Sequence, residues 1–537
     1  MYFTTLSSSI DGIKSRPVSV EADVTDGLPI FTLVGYLASE TREASERVRS
    51  ALRNSGFTLG PRHITVNLAP ASLKKDGSSF DLAIAVALLG GYGLFSQDRL
   101  SHILFLGELG LSGELCAIRG ILEMVSHAAE QGCDTVIVPR QNLKEASVVK
   151  NVTVYGAADL NQIIHFLLEK ENRGPYQSPD VSYTPPRLNP APLERVDIDI
   201  RALYEHPPSG GDLDFSQIRG QLLLRRACEI AVAGLHNLLM IGPPGAGKSM
   251  AAKRIPTILP RTTPEEALEI TKLHSIAGVL PEDTSLITTR PFRSPHHTIT
   301  APALCGGGSP PHPGEISLAH HGVLYLDELP EFDPRVIETL RSPLEDGEIH
   351  ITRTHGSFVF PARFMLVASM NPCRCGFYPD RAKCSCTNAQ IRRYLTHVSM
   401  PMLDRIDLGV EARKVSYDEL RSQEEGESSE AIRRRVEAAA AIQQERYRAE
   451  PFSFNSALTA DGVRRYCPLD SAGEKLMKKV YGSMNLTARS YTRILKVART
   501  IADLDGSEDI RTRHLMEAVS YRAVDRKYWE SAAKGCG

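Results

Sequence analysis

The sequence carries almost no net charge and no long apolar run. Lys and Arg total 62 against 64 Asp and Glu, so the formal net charge is −2. A basic protein that coats nucleic acid is therefore disfavoured, and any nucleic-acid contact has to come from a local patch or pore. The longest apolar stretch, residues 82–95, is shorter than the roughly 20 residues of a membrane helix. It predicts a buried helix followed by a turn, and we expect no membrane partner.

Secretion signals and disulfide patterns are also absent. The N-terminal sequence MYFTTLSSSIDGIKS has no basic region followed by an apolar run, so we expect no secretory signal. Of the ten cysteines, four lie within 373–386. Such clustering indicates a reduced cytoplasm and one metal or packing site rather than a disulfide framework. The expected location is cytoplasmic.

The remaining composition is that of a folded multidomain protein. Apolar residues make up 42% and charged residues 23% of 537 residues, which predicts three or four globular domains. Changes in composition along the chain suggest the boundaries. The predicted segments are an α/β domain at 1–172, a Pro/Ser/Gly-rich linker at 173–213, a second α/β domain at 214–411, a charged connector at 412–427 and a helical domain at 428–537.

The strongest motif is GPPGAGKS at 242–249, directly after an apolar strand and before a helical pattern. It matches the P-loop pattern, in which backbone N–H groups and a helix N-terminus surround phosphates. Lys248 is predicted to contact the β- and γ-phosphates and Ser249 to ligate Mg²⁺. The predicted nucleotide-binding residues are Gly242, Pro243, Pro244, Gly245, Ala246, Gly247, Lys248, Ser249 and Met250.

Further polar residues follow apolar strands. HGVLYLDEL at 321–329 ends in Asp327, predicted to hold Mg²⁺, and Glu328, predicted to polarise the attacking water. FMLVASMNP at 364–372 ends near Asn371, which could orient that water. Arg405 is a candidate finger toward a neighbouring subunit's phosphate, and Arg489 lies at the predicted start of a helix from which it could reach the phosphates. A surface ion pair is the alternative for each arginine.

The chain carries, in this order, the P-loop, LYLDEL, ASMNPC, LDRIDL and ARSYTRILKVARTIAD. This series of motifs resembles an AAA+ ATPase of the magnesium-chelatase-like branch. The stretch RSPHHTITAPALCGGGSPPHPGEISLAHHGVLYLDEL at 293–329 is similar to the ComM/YifB family, and the resemblance covers nearly the whole chain. It implies a P-loop AAA+ core with a parallel sheet, a C-terminal helical lid, ATP with Mg²⁺, and a ring, expected to be a hexamer. It also implies ATP-driven branch migration of DNA during integration of transforming DNA and homologous recombination.

The segment EIHITRTHGSFVFPARF at 348–364 predicts a β-hairpin. In the family that the sequence resembles, such elements line a central pore. Arg353 and His355 near the hairpin tip are candidates for gripping DNA phosphates, whether branched or single-stranded. The alternative is that both are solvated hairpin side chains.

The N-terminal domain resembles the Lon protease domain, which has a ribosomal S5 domain 2-like fold. LKKDGSSFDLAIAVALLGG at 73–91 resembles the Lon nucleophile segment and puts Ser79 at the serine position. The segment that would supply the lysine puts Leu122 there instead. A leucine cannot take the hydroxyl proton, so we expect a Lon-like domain without peptidase activity.

The four clustered cysteines, Cys373, Cys375, Cys384 and Cys386, leave two alternatives open. Four thiolates could bind a structural Zn²⁺ tetrahedrally. The C-x-C spacing is tighter than the usual C-x₂-C, so reduced and packed thiols explain the pattern as well.

The sequence thus favours an ATP-driven DNA motor of the AAA+ class. One alternative is the ATPase subunit of a metal-chelatase complex, although such subunits generally lack a Lon-like N-terminal domain. A protein-remodelling factor or nucleotide-gated scaffold is another. An ATP-dependent protease is disfavoured by Leu122.

Overall fold

The computed structural model describes residues 1–170, 177–178, 181–184, 186, 190–205, 213–353, 356–415, 417, 419, 426–484 and 486–530. The chain forms two compact units, one made of 1–206 and 267–287 and the other of 207–266 and 288–537. This division does not test the predicted domain boundaries, which stay predictions.

The first unit is built on a mixed β-sheet. Its strands are β1 (Tyr2–Asp11), β2 (Lys14–Thr25), β3 (Phe31–Val34), β4 (Phe57–Leu59), β5 (His63–Ala69), β6 (Ile103–Phe105), β7 (Glu108–Leu109), β8 (Leu115–Cys116), β9 (Thr135–Pro139), β10 (Thr153–Ala157), β11 (Gln177–Ser178) and β12 (Val181–Tyr183). Over the described residues, the main sheet has the order β10-β9-β6-β1-β2-β5-β3. The β1–β2 and β2–β5 pairs are antiparallel, whereas β1–β6, β6–β9, β9–β10 and β3–β5 are parallel.

The helices up to residue 205 pack around this sheet or connect its strands. They are Ser39–Arg42, Ala44–Asn54, Asp81–Gly91, Gln97–Leu100, Ile121–Glu130, Leu143–Ala146, Leu160–Lys170 and Ile200–Glu205, with a 3₁₀ turn at Arg140–Asn142. The helix Asp81–Gly91 is buried on every side, as its uninterrupted apolar sequence predicts. The sequences SERVRSALRNSG at 45–56 and ILEMVSHAAEQG at 121–132 predict helices that end at Gly, and the helices Ala44–Asn54 and Ile121–Glu130 match them within two residues.

The apolar sequence ILFLGEL at 103–109 predicts one strand, but the segment divides in two. The segment 103–109 forms β6 and β7 rather than a single strand. The backbone of Gly107 between them donates to the carbonyl of Ser79 and accepts from the N–H of Leu82. The N–H of Gly107 is thus bonded to Ser79, just before the buried helix, and its carbonyl to Leu82, in the first turn of that helix. Neither group is available to a neighbouring strand.

Part of the segment predicted as a linker is ordered against the first unit. β12 pairs antiparallel with β4, and the ring of Tyr183 stacks on that of Phe57 with centroids 4.3 Å apart. The side chains of Val181 and Tyr183 are buried. An apolar residue at every second position is the pattern of a strand with one buried face.

The second unit contains a parallel β-sheet whose strands are almost entirely buried. The strands of the whole unit are β13 (Leu238–Ile241), β14 (Phe292–Arg293), β15 (Gly306–Gly308), β16 (Pro311–Pro313), β17 (Val323–Leu326), β18 (Glu348–Arg353), β19 (Gly356–Pro361), β20 (Met365–Met370) and β21 (Leu408–Glu411), of which β15 with β16 and β18 with β19 form two separate hairpins. Over the residues that the structure describes, the sheet has the order β14-β17-β20-β13-β21, and each neighbouring pair is parallel. Continuous apolar strands are expected where both faces of a parallel sheet are covered.

Helices dominate the C-terminal part of this unit, as predicted. From residue 213 onward the helices are Leu222–Gly234, Lys248–Arg254, Pro264–Ala277, Ala301–Cys305, Glu315–Leu318, Pro334–Glu338, Arg341–Asp346, Asn388–Leu395, Met400–Leu403, Ser429–Arg446, Ala460–Tyr466, Ser471–Ser483, Ala488–Leu504, Thr512–Ser520 and Ala523–Asp525. Of these, Pro264–Ala277 belongs mostly to the first unit. Short 3₁₀ turns occupy Phe215–Gln217, Ile255–Ile258, Leu329–Glu331 and Asn455–Ala457, and a π turn occupies Arg526–Glu530. None of the described helices is both long enough and apolar enough to cross a membrane.

Candidate nucleotide-binding site

The P-loop connects the end of β13 to the helix that begins at Lys248. A side chain at Gly242 would place its Cβ 2.2 Å from the carbonyl oxygen of Ala412 on the neighbouring chain segment. Gly247, directly before the helix, has φ +83°, in the region that glycine adopts without a Cβ penalty. Local sterics therefore demand glycine at both ends of this loop.

Lys248 points back into the loop that precedes it. Its Nζ donates to the carbonyls of Gly242 and Pro243 at 2.7 and 3.0 Å and to Oδ1 of Asn371 at 3.1 Å. Burial lowers the pKa of the Lys248 ammonium, against the opposing effect of the nearby Asp327 carboxylate. The end of β20 thus brings Asn371 to the P-loop lysine, and the two predicted site residues meet.

Ser249 and Asp327 also meet, although they lie far apart in the sequence. The Ser249 hydroxyl donates to Asp327 Oδ2 at 2.8 Å, and the Ser369 hydroxyl donates to the other carboxylate oxygen. Tyr325 OH bonds to Ser369 Oγ at 3.1 Å. Burial alone would raise the pKa of Asp327, but the hydrogen bonds from Ser369 and Ser249 outweigh it and lower that pKa.

A magnesium ion fits this pair chemically. Mg²⁺ is held in proteins by one or two oxygen ligands together with phosphates and water. Ser249 supplies a hydroxyl oxygen and Asp327 a carboxylate that its neighbours keep ionised. These two residues would hold the ion beside the nucleotide phosphates.

Glu328 is exposed at the carboxyl end of β17 and adopts a left-handed backbone. Its φ is +53°, and its N–H donates to Asp327 Oδ1 at 3.0 Å. The backbone carbonyl of Glu328 accepts from the N–H of Glu331 at 2.8 Å. A non-glycine residue in this region costs of order 1 kcal/mol, and such residues cluster at functional sites.

Arg405 is buried, with 6% of its surface exposed. Its Nε donates to the carbonyl of Arg341 at 3.2 Å and its Nη1 to that of Pro401 at 2.6 Å. Its Nη2 lies 2.6 Å from Oε1 of Glu345. Contact with another subunit's phosphate would require Arg405 to leave these partners.

Arg489 lies in the first turn of the helix Ala488–Leu504, as predicted, and its side chain is 62% exposed. The helix begins at a cap in which Thr487 Oγ1 accepts from the N–H of Ser490. Nη2 of Arg489 lies 3.4 Å from the same Glu345 oxygen that pairs with Arg405. One carboxylate therefore joins both predicted arginines.

Three residues of this site were missed by sequence reasoning. Ser369 lies two residues before Asn371 on β20, and residues two apart on a strand share a face. Counting back two residues from Asn371 would have identified Ser369. The same count from Asp327 identifies Tyr325. No sequence signal distinguishes Glu345 from the other acids of its segment.

The predicted hairpin is confirmed. β18 and β19 pair antiparallel, with Arg353 opposite Gly356. Arg353 is exposed at the end of β18. His355 lies outside the described residues.

The four clustered cysteines lie together. The Sγ atoms of Cys373 and Cys375 are 3.3 Å apart, those of Cys373 and Cys384 are 3.7 Å apart, and those of Cys375 and Cys384 are 3.5 Å apart. Sγ of Cys386 lies within 4.8 Å of the other three. Burial raises the pKa of the Cys375 thiol, but the Phe377 N–H and the neighbouring thiols outweigh it and lower that pKa to about 6.

In the first unit, Ser79 and Leu122 are both buried. The Ser79 hydroxyl donates to the carbonyl of Ser8 at 3.4 Å. Leu122 packs with Val148, Ala267 and Leu286 in an apolar cluster. The position predicted to replace a catalytic lysine is therefore part of a core.

The P-loop follows a strand of a five-stranded parallel sheet, two acids lie at the end of β17, and Asn371 lies after β20. These features define an AAA+ P-loop ATPase. Three family models match the chain: "Magnesium chelatase, subunit ChlI" at 214–420, "Subunit ChlI of Mg-chelatase" at 20–142 and "Magnesium chelatase, subunit ChlI C-terminal" at 426–522. The chain belongs to this magnesium-chelatase-like family, in the branch that contains YifB and ComM.

Relatives within that branch match over nearly their full length. The uncharacterized protein YifB of Escherichia coli strain K12 is 40% identical over 516 residues, 96% of each chain. The competence protein ComM of Haemophilus influenzae is 39% identical over 518 residues, again 96% of each chain. A Lon protease of Geobacter metallireducens is 26% identical over 177 residues, 30% of this chain and 21% of that protein.

Proposed function

We propose that this protein hydrolyses ATP and uses the energy to drive branch migration of DNA. The observation that carries the ATPase part is the meeting of Lys248, Ser249, Asp327 and Asn371 at one sheet edge. In parallel α/β sheets, ligands bind outside the carboxyl ends of the strands. The residues predicted from separate motifs lie at this edge.

Each residue has a chemical role in this proposal. Lys248 and the P-loop N–H groups hold the phosphates, and Ser249 with Asp327 hold Mg²⁺, which neutralises charge on the phosphate oxygens when bound. The exposed Glu328 carboxylate accepts a proton from the attacking water. The Asn371 side chain, next to the Lys248 ammonium, orients that water.

We propose that the chain forms a homo-hexameric ring. In this ring Arg405 acts between subunits and Arg489 acts within one subunit. Arg405 reaches the γ-phosphate bound to a neighbouring subunit, and Arg489 reaches the phosphates bound to its own chain. Both are paired with Glu345 in the described chain. Assembly around ATP therefore has to exchange Glu345 for phosphate oxygens as the partner of each guanidinium.

DNA is the proposed substrate, and the cytoplasm the proposed location. Support comes from the competence protein ComM of Haemophilus influenzae, which is 39% identical over 96% of this chain. The exposed Arg353 at the end of β18 and His355, two residues later in the sequence, are the proposed phosphate contacts in the ring pore. Contacts of this kind are independent of base sequence and weaken as salt rises.

The test is the ATPase rate of the purified chain with and without four-way or forked DNA. We expect DNA to stimulate hydrolysis, and Glu328→Gln to lower the rate at least about 100-fold. Glu331→Gln, which changes an exposed acid three residues away, is the matched control and should leave the rate unchanged. An ATPase rate that does not change when DNA is added would refute the DNA motor. The protein would then be an ATPase with another substrate.

A second candidate is the ATPase subunit of a metal-chelatase-type complex, favoured by the family models that match both units. Stimulation by a metal ion and a metal-free porphyrin together with partner subunits, and not by DNA, would support it. Stimulation by an unfolded protein substrate would instead support a remodelling factor. Proteolysis is not proposed, because Leu122 provides no amine to activate Ser79.

A further inference from the structure

The cysteine loop, residues 373–386, has almost no apolar core of its own. Across 376–383, which the structure describes completely, Gly376 is the one buried residue. Apolar burial normally supplies the free energy that orders a loop. Here the side chains that converge inside the loop are the four cysteines.

The spacing of the sulfurs matches a tetrahedral metal site. A Zn–S bond of about 2.3 Å places the sulfurs of a tetrahedral Cys₄ site about 3.8 Å apart. Three of the Sγ–Sγ distances in the loop are 3.3, 3.5 and 3.7 Å. A disulfide would require about 2.05 Å and would join only two of the four.

The surroundings of the sulfurs suit thiolates. The N–H of Tyr378 donates to Sγ of Cys373 at 3.4 Å. Exposed Arg374, Arg381 and Lys383 belong to the same loop, and Asp380, the one acid of its sequence, lies 3.2 Å from the Lys383 ammonium. The three basic residues less this acid leave a net charge of +2, which opposes the net −2 of a zinc ion held by four thiolates. In protein metal sites, the ligands are typically held by hydrogen bonds and by compensating charges around them.

The loop also contacts the P-loop. A Cβ on Gly376 would lie 2.4 Å from Cδ of Pro244, so the backbone at Gly376 approaches the Pro244 ring more closely than any other residue would allow. Gly376 has φ +84°, which further favours glycine. Asn371, the partner of Lys248, lies two residues before the first cysteine.

We propose that Cys373, Cys375, Cys384 and Cys386 bind one zinc ion, and that the folded zinc loop braces the P-loop through Gly376 and Pro244. Zinc binding then sets the affinity for nucleotide. The bracing part rests on the proposed nucleotide site, whereas the zinc site stands independently of it.

The first measurement is zinc content of the full chain, purified under reducing conditions from zinc-replete medium. We expect about one zinc per chain, and close to none in a Cys384→Ser, Cys386→Ser double variant. Cys133→Ser, in the first unit, is the matched control and should retain the metal. A wild-type chain without zinc, or a double variant that keeps it, would overturn the site.

Cobalt provides a test that does not depend on how the double variant folds. The wild-type chain, depleted of zinc and reloaded with Co²⁺, should show the absorption of tetrahedral cobalt with sulfur-to-cobalt charge transfer. An octahedral cobalt spectrum would contradict the four-thiolate site.

The bracing part is tested by the affinity for a fluorescent ATP analogue. Gly376→Ala retains all four cysteines, so we expect unchanged zinc content but nucleotide affinity at least about tenfold weaker, because the P-loop is displaced. Zinc removal should have the same effect. Gly482→Ala, at a helical glycine with open space around it, is the control. Unchanged affinity in Gly376→Ala would refute the brace, and a wild type that binds zinc but no nucleotide would refute the nucleotide site alone.

Discussion

The helix Ala488–Leu504, which carries Arg489 in its first turn, is held at its other end by the buried carboxylate of Asp503. Removal of that carboxylate should strongly destabilise the second unit. The Asp503 side chain is 0% exposed. It accepts from Arg446 Nη2 and Nη1 at 2.6 and 2.9 Å, from Arg499 Nε at 3.1 Å and from Asn455 Nδ2 at 2.9 Å. Asp503→Ala leaves two largely buried guanidinium groups without this counter-charge.

Breaking a buried ion pair by removing one partner costs about 3–5 kcal/mol of unfolding free energy. For a unit of about 310 residues, the unfolding entropy is roughly 0.65 kcal/mol/K, so each kcal/mol lowers Tm by about 1.5 °C and we expect a decrease of roughly 5 to 8 °C. Differential scanning calorimetry of the full chain can follow the transition of the second unit. Asp461→Ala is the control, because that carboxylate is 90% exposed and its ion pair is with exposed Arg464 at 3.6 Å.

A loss below about 1 kcal/mol for Asp503→Ala would refute the reasoning, since that is the value of an exposed pair. Arg499 also donates to the carbonyls of Glu508 and Ser507, each at 2.6 Å. A small loss would mean that such carbonyls, and not the carboxylate, stabilise the guanidinium groups.

Three further predictions concern charge. Asp327→Asn should lower Mg²⁺-dependent ATP hydrolysis at least about 100-fold, with ATP binding in EDTA as the control; an unchanged steady-state rate would contradict its role. Glu345→Gln should cost about 1–3 kcal/mol in urea unfolding, because Arg405 is buried, but raise basal ATPase activity by weakening the pairing of Arg405 and Arg489; an unchanged rate would show that their pairing is not inhibitory. Burial raises the pKa of Asp81 from 3.8 to about 6, so between those values the folded chain binds a proton that the unfolded chain has released, and this stabilising contribution is lost as pH rises through 6. Urea unfolding from pH 4.5 to 7 should therefore show a steeper decline for the wild type than for Asp81→Asn, and parallel curves would contradict the raised pKa.

The sequence predicted the parts of the site whose geometry is local. A P-loop is a strand, a glycine turn and a helix in succession, so Lys248 and Ser249 are placed by their own neighbours. Asp327 and Asn371 follow strands, and the carboxyl ends of parallel strands meet at one edge. Their contacts with the P-loop therefore follow from the order of strands and motifs along the chain.

The environment of Arg405 could not be predicted in this way. Its burial depends on the carbonyls of Arg341 and Pro401 and on the carboxylate of Glu345, which come from other segments of the chain. The same limit applies to β12. Its pairing with β4 depends on an apolar edge strand more than a hundred residues away, whereas its flanking Pro and Ser residues resemble a linker.

The first unit is assembled from two separate stretches of chain, and this affects how the protein can be divided. A polypeptide that stops at 206 lacks residues 267–287, so Leu122 and Val148 lose Ala267 and Leu286 as packing partners. It also loses the hydrogen bond from the N–H of Gly120 to Ser275. Such a fragment would expose an apolar surface and should be prone to aggregation. Work on the isolated N-terminal region would need residues 267–287 fused to its end through a flexible linker.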